Sequence, residues 1–237
     1  MTNPTQREAS WTAGGHAETK NSSELVDAAL VVLRHAGKTE SIPSGETLFA
    51  QGERVKGIAC LIEGTVAIHR SHGKEHSTLL RLLDSGSTLG LDGVFGSGIH
   101  SNSAVTLTEC SVCWIAPEAL CDLMAKSPAV IRKVLGRLAF DLQASDEARV
   151  NVVHLQVRAR LAAMLLALRD RHGTVDESGN LVIRLPLSRR DMASAIGTRP
   201  ESLSRAIRAL ENDGVASFHG KRVVIQDLDD LLDEVEL

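Results

Sequence analysis

The sequence predicts an α+β chain: an N-terminal all-β unit of short strands, one long helix, and a C-terminal winged helix-turn-helix. Three features carry that prediction. Between residues 41 and 116, short apolar runs alternate with glycines; from Pro128 to Gly173 only Gly136 interrupts the chain; and residues 188–225 hold two short helical patterns followed by a hairpin pattern. At 237 residues the chain is long enough for two domains with well-buried cores.

Residues 1–24 are polar, contain Gly, Ser and Thr, and lack an apolar core, so they read as a flexible arm rather than a secretion signal. In the β unit the segments "TLFA", "GIACLI", "TVAIH", "TLLRLL", "AVTL" and "VCWI" are of strand type, with turn residues between them, as in a compact sandwich or barrel. No apolar run is long enough to span a bilayer, which excludes a membrane role. Four cysteines are too few for a disulfide scaffold, so the thiols are expected to be reduced and the protein cytoplasmic.

Ser127 and Pro128 suit the start of a helix, as cap and first-turn residue. Within it Ile131, Leu135, Leu138, Leu142, Ser145, Arg149 and Val152 keep a four-three alternation, the spacing that turns one stripe toward a partner helix. A helix over residues 128–153 would be roughly 39 Å long at 1.5 Å per residue, more than a small domain needs to cover itself. The stripe reads as a dimer seam, although a core helix packed on the β unit would show the same pattern. A second amphipathic helix is predicted over residues 155–172, with Leu161, Met164, Leu165 and Leu168 on one face, its arginines mostly outside, and Gly173 as C-cap. Next, "TVDESGNLVIRLPL" reads as a turn-rich connector.

Ser188, with Asp191 three residues on, predicts a capped short helix ending at Gly197. Another follows, with Thr198 as its cap, Arg199 and Pro200 in its first turn and Gly214 at its end. Leu203, Ala206, Ile207 and Leu210 share one face; Glu201, Ser204, Arg205 and Arg208 share a different one. The second stripe offers an acceptor, a hydroxyl and guanidinium forks where a helix-turn-helix meets major-groove base edges. Glu201 could instead close a capping box with Thr198 and pair with Arg205. The run "VASFHGKRVVI" predicts a hairpin turning at residues 219–221, a wing beside the two helices. Residues 184–222 hold eight Lys/Arg against four Asp/Glu, whereas residues 227–237 hold six acidic residues and no basic one. The net charge of −4 therefore conceals a basic module.

The stretch "LSRRDMASAIGTRPESLSRAIRALENDGV" resembles the DNA-binding motif of the CRP/FNR family, named for the cyclic-AMP receptor protein and the fumarate/nitrate reduction regulator. "SGETLFAQGE" and "IEGTVAIH" resemble the family's β-roll, and "LGLDGVFGSGIHSNSAVTL" resembles the fumarate/nitrate branch; the resemblance runs from about residue 40 to 227. After the arm read at residues 1–24, it implies a cyclic-nucleotide-binding-like β-roll sensor at 25–126, a dimerisation helix at 127–154 and a winged helix-turn-helix DNA-binding domain at 155–237. The pattern "ExxSR" is similar to the branch that reads TTGAT half-sites in an inverted repeat, which implies base reading by Glu201, Ser204 and Arg205. Pro200 departs from the usual aliphatic residue there. Ser188, Arg189, Arg199, Arg208 and Lys221 are the expected phosphate contacts. The implied partners are double-stranded DNA, a second copy of the chain and RNA polymerase, with activation expected over repression.

No cofactor is predicted. Oxygen-sensing relatives hold a four-iron cluster with three N-terminal cysteines and one β-roll cysteine that would align with Cys113, but no cysteine precedes Cys60 here. By resemblance the ribose-binding glutamate and phosphate-binding arginine of the cyclic-AMP receptor fall near Leu91 and His100, neither suited to the task. If Cys110 and Cys113 lie on one strand, their odd separation sends the side chains to opposite faces, so they cannot pinch a metal. Buried inert thiols are expected, with a thiol switch at Cys113 or Cys121 as the alternative. His69, His72 and His76 read as solvated residues near a hairpin turn, with haem as the alternative use. Ser145 stands on the seam where the oxygen sensor carries an aspartate that repels its twin, so a dimer independent of effector is expected. Two rivals remain: a ligand-binding module whose DNA reader has degenerated, and a thiol enzyme. The latter lacks a histidine partner for Cys110 or Cys113, so no enzymatic activity is expected.

Overall fold

The structure, a computed structural model, describes residues 38–73 and 76–236. The predicted arm at 1–24 and the predicted start of the β-roll at 25 lie outside the described residues. The described residues divide into two compact units, one at 38–143 and the other at 144–236. Among the described residues no helix is long and apolar enough to cross a membrane.

In the first unit, strands β1 (Lys38–Ile42), β2 (Thr47–Phe49), β3 (Ile58–Glu63), β4 (Thr65–His72), β5 (His76–Asp84), β6 (Thr88–Leu89), β7 (Ser103–Thr106) and β8 (Cys110–Ile115) form two antiparallel sheets. Their orders are β1-β8-β3-β6 and β2-β7-β4-β5. Alternation fixes what each face buries. Ala59, Leu61, Cys110 and Val112 join Phe49, Val66, Ile68 and Leu83 in one core cluster. The odd positions out, Ile58, Cys60, Cys113 and Ile115, pack with Leu91, Leu120, Val130 and Val134 in another. β3 is thus buried on both faces, the reason it reads as the continuous run "IACLI" rather than as an alternation. Cys110 and Cys113 fall in different clusters, as their spacing requires.

Two helices here were not read from the sequence: α1 (Leu91–Phe95) and α2 (Pro117–Lys126). Pro117 at the first turn of α2 is a start signal of the same kind as Pro128. Helix α3 (Pro128–His154) matches the long helix expected over residues 128–153. Its residues Val130 and Val134 are buried against the second cluster, and Arg137, also buried, pairs with Asp141, which Arg81 of β5 approaches at 3.0 Å.

The second unit is organised around α4 (Val157–His172). Leu161, Met164, Leu165 and Leu168 are buried as expected, but so are Ala159, Ala162, Ala163 and Arg160. Gly173 ends the helix in an extended, not left-handed, conformation; glycine is needed because a Cβ would lie 2.2 Å from the Arg169 carbonyl oxygen. The segment read as a connector contains two strands, β9 (Gly173–Val175) and β10 (Leu181–Arg184). They extend the wing hairpin, β11 (Ala216–His219) and β12 (Arg222–Ile225), into a sheet of order β11-β12-β10-β9. The acidic end folds as a helix, α7 (Leu228–Glu236). It inserts the fully buried Leu231, and its Glu234 accepts hydrogen bonds from Arg158 of α4, which also donates to Asp213. The Glu234 bond, ahead of that to Asp213, raises the Arg158 pKa above the ordinary arginine value.

Candidate nucleic-acid interface

Two helices form the centre of the site, α5 (Arg189–Ala195) and α6 (Pro200–Asn212). The predicted cap of α5 is a full capping box: Ser188 Oγ accepts from the Asp191 amide at 3.1 Å, and the Asp191 carboxylate accepts from the Ser188 amide at 3.3 Å. The turn between the helices hinges on Gly197, which sits at φ 62, with the Thr198 amide donating to the Ala193 carbonyl at 2.8 Å. The Arg199 carbonyl accepts the first helical bonds, from the Ser202 and Leu203 amides at 3.0 Å, so the N-cap of α6 is Arg199, which makes no side-chain cap bond, with Pro200 at the first position. The capping box of Thr198 and Glu201 weighed from the sequence is therefore not formed.

Arg160 of α4 reaches into this turn. Its Nη1 donates to the Ile196 carbonyl at 2.7 Å and more weakly to the Gly197 carbonyl at 3.3 Å, which satisfies groups at the exposed end of α5. Burial lowers its pKa below the ordinary arginine value. A Cβ at Gly197 would stand 3.0 Å from Val152 Cγ2 and 3.4 Å from Arg160 Nη1, so the turn is packed from two sides. The sequence placed arginines of this helix mostly outside; nothing local in "VRARLAA" signals that one of them closes a turn 36 residues later.

Around this scaffold the stripes separate as expected. Leu203, Ala206, Ile207 and Leu210 are buried, while Glu201, Ser204, Arg205 and Arg208 are exposed. Ser204 Oγ donates to the Pro200 carbonyl at 2.9 Å, and Arg205 Nη2 donates to Ser202 Oγ at 3.0 Å. Among the described residues the Glu201–Arg205 ion pair is not formed, so the carboxylate is left as an open acceptor. Arg199 is exposed immediately before this stripe, and Ser188 and Arg189 are exposed at the start of α5. Lys221 is exposed in the wing turn beside Gly220, at φ 63, and its carbonyl accepts from the Leu185 amide at 2.8 Å. Arg189 lies over the Phe218 ring of β11, 5.0 Å from its centroid. Neither Phe218 nor its neighbour Glu211 was singled out from the sequence.

On α3, Leu135 is 57% and Leu142 66% exposed, and Ser145, Arg149 and Val152 are exposed too. Ile131 and Leu138 are half-buried, Leu138 against the second β-roll cluster. Val153, 75% exposed and eleven residues from Leu142, adds to the same face and was missed.

Leu91 is buried in the cluster of Cys60 and Cys113, and His100 is 3% exposed and stacked on Phe49, ring centroids 3.8 Å apart at 10°. Burial lowers the His100 pKa, opposed by the charges of Asp92 and Glu53. Cys113 is buried directly opposite Cys60 in the β3–β8 register, and burial pushes the Cys60 thiol up to about 12. Cys121 on α2 is exposed. His69 and His72 lie on β4 and His76 begins β5, on either side of the hairpin turn. Among the described residues no group of three or more His, Cys, Asp or Glu is arranged to hold a metal ion.

Residues 39–127 match the family described as the cyclic nucleotide-binding domain, and residues 159–234 match the Crp-like helix-turn-helix domain. The chain is 28% identical over 199 residues to a CRP-like cAMP-activated global transcriptional regulator of Mycobacterium tuberculosis, covering 84% of this chain and 88% of that protein. It is 26% identical over 196 residues to the fumarate and nitrate reduction regulatory protein of Salmonella typhimurium, covering 82% and 77%. A solved transcriptional regulator of the CRP/FNR family from Thermus thermophilus superposes with a TM-score of 0.72 at 19% identity, over 84% of this chain and 99% of that one, a likeness of fold.

Proposed function

The chain belongs to the CRP/FNR family of transcription regulators, and from that premise we propose that it acts as a homodimer that binds TTGAT-type inverted repeats and activates transcription through RNA polymerase. The observation that carries this reading is the exposed stripe of α6. Glu201 is an open acceptor suited to cytosine N4, Arg205 a guanidinium suited to guanine, and Ser204 a hydroxyl beside them, on a helix whose opposite face is buried. Phosphate contacts fall to Ser188, Arg189, Arg199, Arg208 and Lys221, which fix register without reading sequence. The exposed apolar face of α3 supports pairing with a second copy, and the neutral Ser145 on that face supports a dimer without effector. Two-fold symmetry then sets half-sites about 34 Å apart, one turn of DNA.

The sensing chemistry of two relatives does not fit these residues. The iron–sulfur cluster of the fumarate/nitrate branch would have only Cys113 of its ligands, buried opposite Cys60 and among Ile58, Leu91 and Val134. A cyclic-AMP site of the receptor type would need an acceptor where Leu91 lies in the core, and a cation where His100 is buried against Phe49. Burial also makes Cys60 and Cys113 poor redox thiols, which leaves Cys121 as the accessible one.

The test is fluorescence anisotropy of the reduced protein at fixed salt on a TTGAT-N4-ATCAA duplex and a scrambled control, because phosphate contacts make affinity salt-dependent. Selective binding without additive is the expected result. Equal binding to both duplexes would refute the half-site assignment.

A further inference from the structure

Three elements of the DNA-binding unit meet at one arginine. Arg189, the first residue of α5, carries its guanidinium carbon 5.0 Å from the centroid of the Phe218 ring on β11. The Phe218 amide donates to Glu211 Oε1 at 3.1 Å, and Glu211 belongs to the last turn of α6. Glu211 therefore fixes the strand that carries the ring. We propose that Phe218 is a positioning residue for duplex binding, holding Arg189 where a backbone phosphate meets the start of α5; the inference rests on the DNA-binding reading above.

The chemistry of the pair favours that role over simple packing. Among the described residues Arg189 is exposed and is held by no hydrogen bond or ion pair, so its N–H donors are unspent. An arginine anchored through its π-face keeps those in-plane donors for an anion, whereas a bidentate carboxylate partner would consume them. The Glu211 carboxylate acts on Arg189 through its charge while its hydrogen bond goes to the strand. Phe218 itself is half-buried at the edge of the wing, and an aliphatic side chain would cover that edge equally well. Only an aromatic face gives the cation a seat, one that narrows where Arg189 points before any duplex arrives.

The test is a double-mutant cycle on the full chain, with Phe218→Leu, Arg189→Ala and the pair, read by anisotropy on TTGAT-type and scrambled duplexes across a salt series. Phe218→Tyr is the conservative variant, and urea unfolding followed by circular dichroism checks folding. Phe218→Leu is expected to weaken both duplexes alike, by about two- to fivefold, the worth of an exposed cation–π contact. It should have no further effect once Arg189 is alanine, and Phe218→Tyr should retain wild-type affinity. Arg189→Ala should lower the salt slope by about one. Additive losses from Phe218→Leu and Arg189→Ala, or an unchanged affinity in Phe218→Leu, overturn the proposal and leave the DNA reading intact. Failure of the unmodified protein to bind any duplex at low salt overturns both.

Discussion

Replacing Arg160 with methionine isolates the tie between α4 and the turn that aims α6. Methionine retains much of the aliphatic stem but removes the donors to Ile196 and Gly197, of which only the 2.7 Å bond to Ile196 is short enough to count in full. A buried carbonyl left without its partner costs roughly 1–3 kcal/mol. Part of that is returned, because the cation no longer has to be kept from water and Arg160 Nε has no partner among the described residues. Replacing a buried charge with an apolar group is sometimes neutral, so the sign depends on the orphaned carbonyl, and we expect a net loss of about 1–2 kcal/mol. With a urea slope of about 1–3 kcal/mol per molar, the midpoint should fall by roughly 0.3–2 M. Circular dichroism at the helix band is the assay, since the unit of residues 144–237 contains no tryptophan. Trp114 fluorescence, in a chain with Trp11 replaced by phenylalanine, follows β8 separately as the control. A midpoint that stays within about 0.2 M of wild type, or rises, would refute the reasoning, because the clamp would then do no more than an apolar plug.

Three further outcomes follow from the same geometry. Arg205→Ala should cost about 1–3 kcal/mol on the cognate duplex and flatten preference at the guanine, whereas Lys221→Ala should weaken every duplex alike; equal losses on cognate and scrambled DNA for Arg205→Ala would contradict base reading. Leu142→Glu, at a position 66% exposed in the single chain, should leave the helix content unchanged and weaken dimerisation on the order of 100-fold or more; sedimentation as an unaltered dimer would count against the seam. His100 has a folded-state pKa below its ordinary 6.5, so the unfolded chain binds the extra proton first and stability should fall as pH drops through about 6.5 toward the folded value. The slope cannot exceed about 1.4 kcal/mol per pH unit for one group, and a His100→Phe chain that loses stability just as steeply would exclude His100 as the source.

Much of this architecture is written locally. Ser127, Pro128 and a four-three stripe apolar at five of its seven positions define α3 to within a residue of its observed end, and the parity of Cys110 and Cys113 sends them to separate clusters as strand geometry demands. The buried and exposed stripes of α6 follow from period alone. What escaped depends on contacts distant in sequence. β9 and β10 have three and four residues, too few for a pattern of their own; β10 becomes a strand because β12 is there to pair with, and β9 because β10 is. Thr198 has the chemistry of a cap, yet the first helical bonds go to the Arg199 carbonyl and the helix begins one residue later. Arg160 looks like a solvated charge until the carbonyls of a distant turn are placed against it. The end of the chain is different: Leu228, Leu231 and Leu232 are spaced as one helical face, a signal that the surrounding carboxylates concealed.

The packing at Leu91 and His100 has a consequence for redesign. A glutamate introduced at Leu91 would set a carboxylate among Ile58, Cys60, Cys113 and Val134, a change that costs several kcal/mol before any ligand is present to offset it. An arginine introduced at His100 would force a longer cation into the place of a ring stacked on Phe49. Each change is harmful by itself, and a ligand could offset the cost only with both in place. Single substitutions therefore give no gradual route to a nucleotide site at these two positions, and any such design has to rebuild the surrounding core in one step.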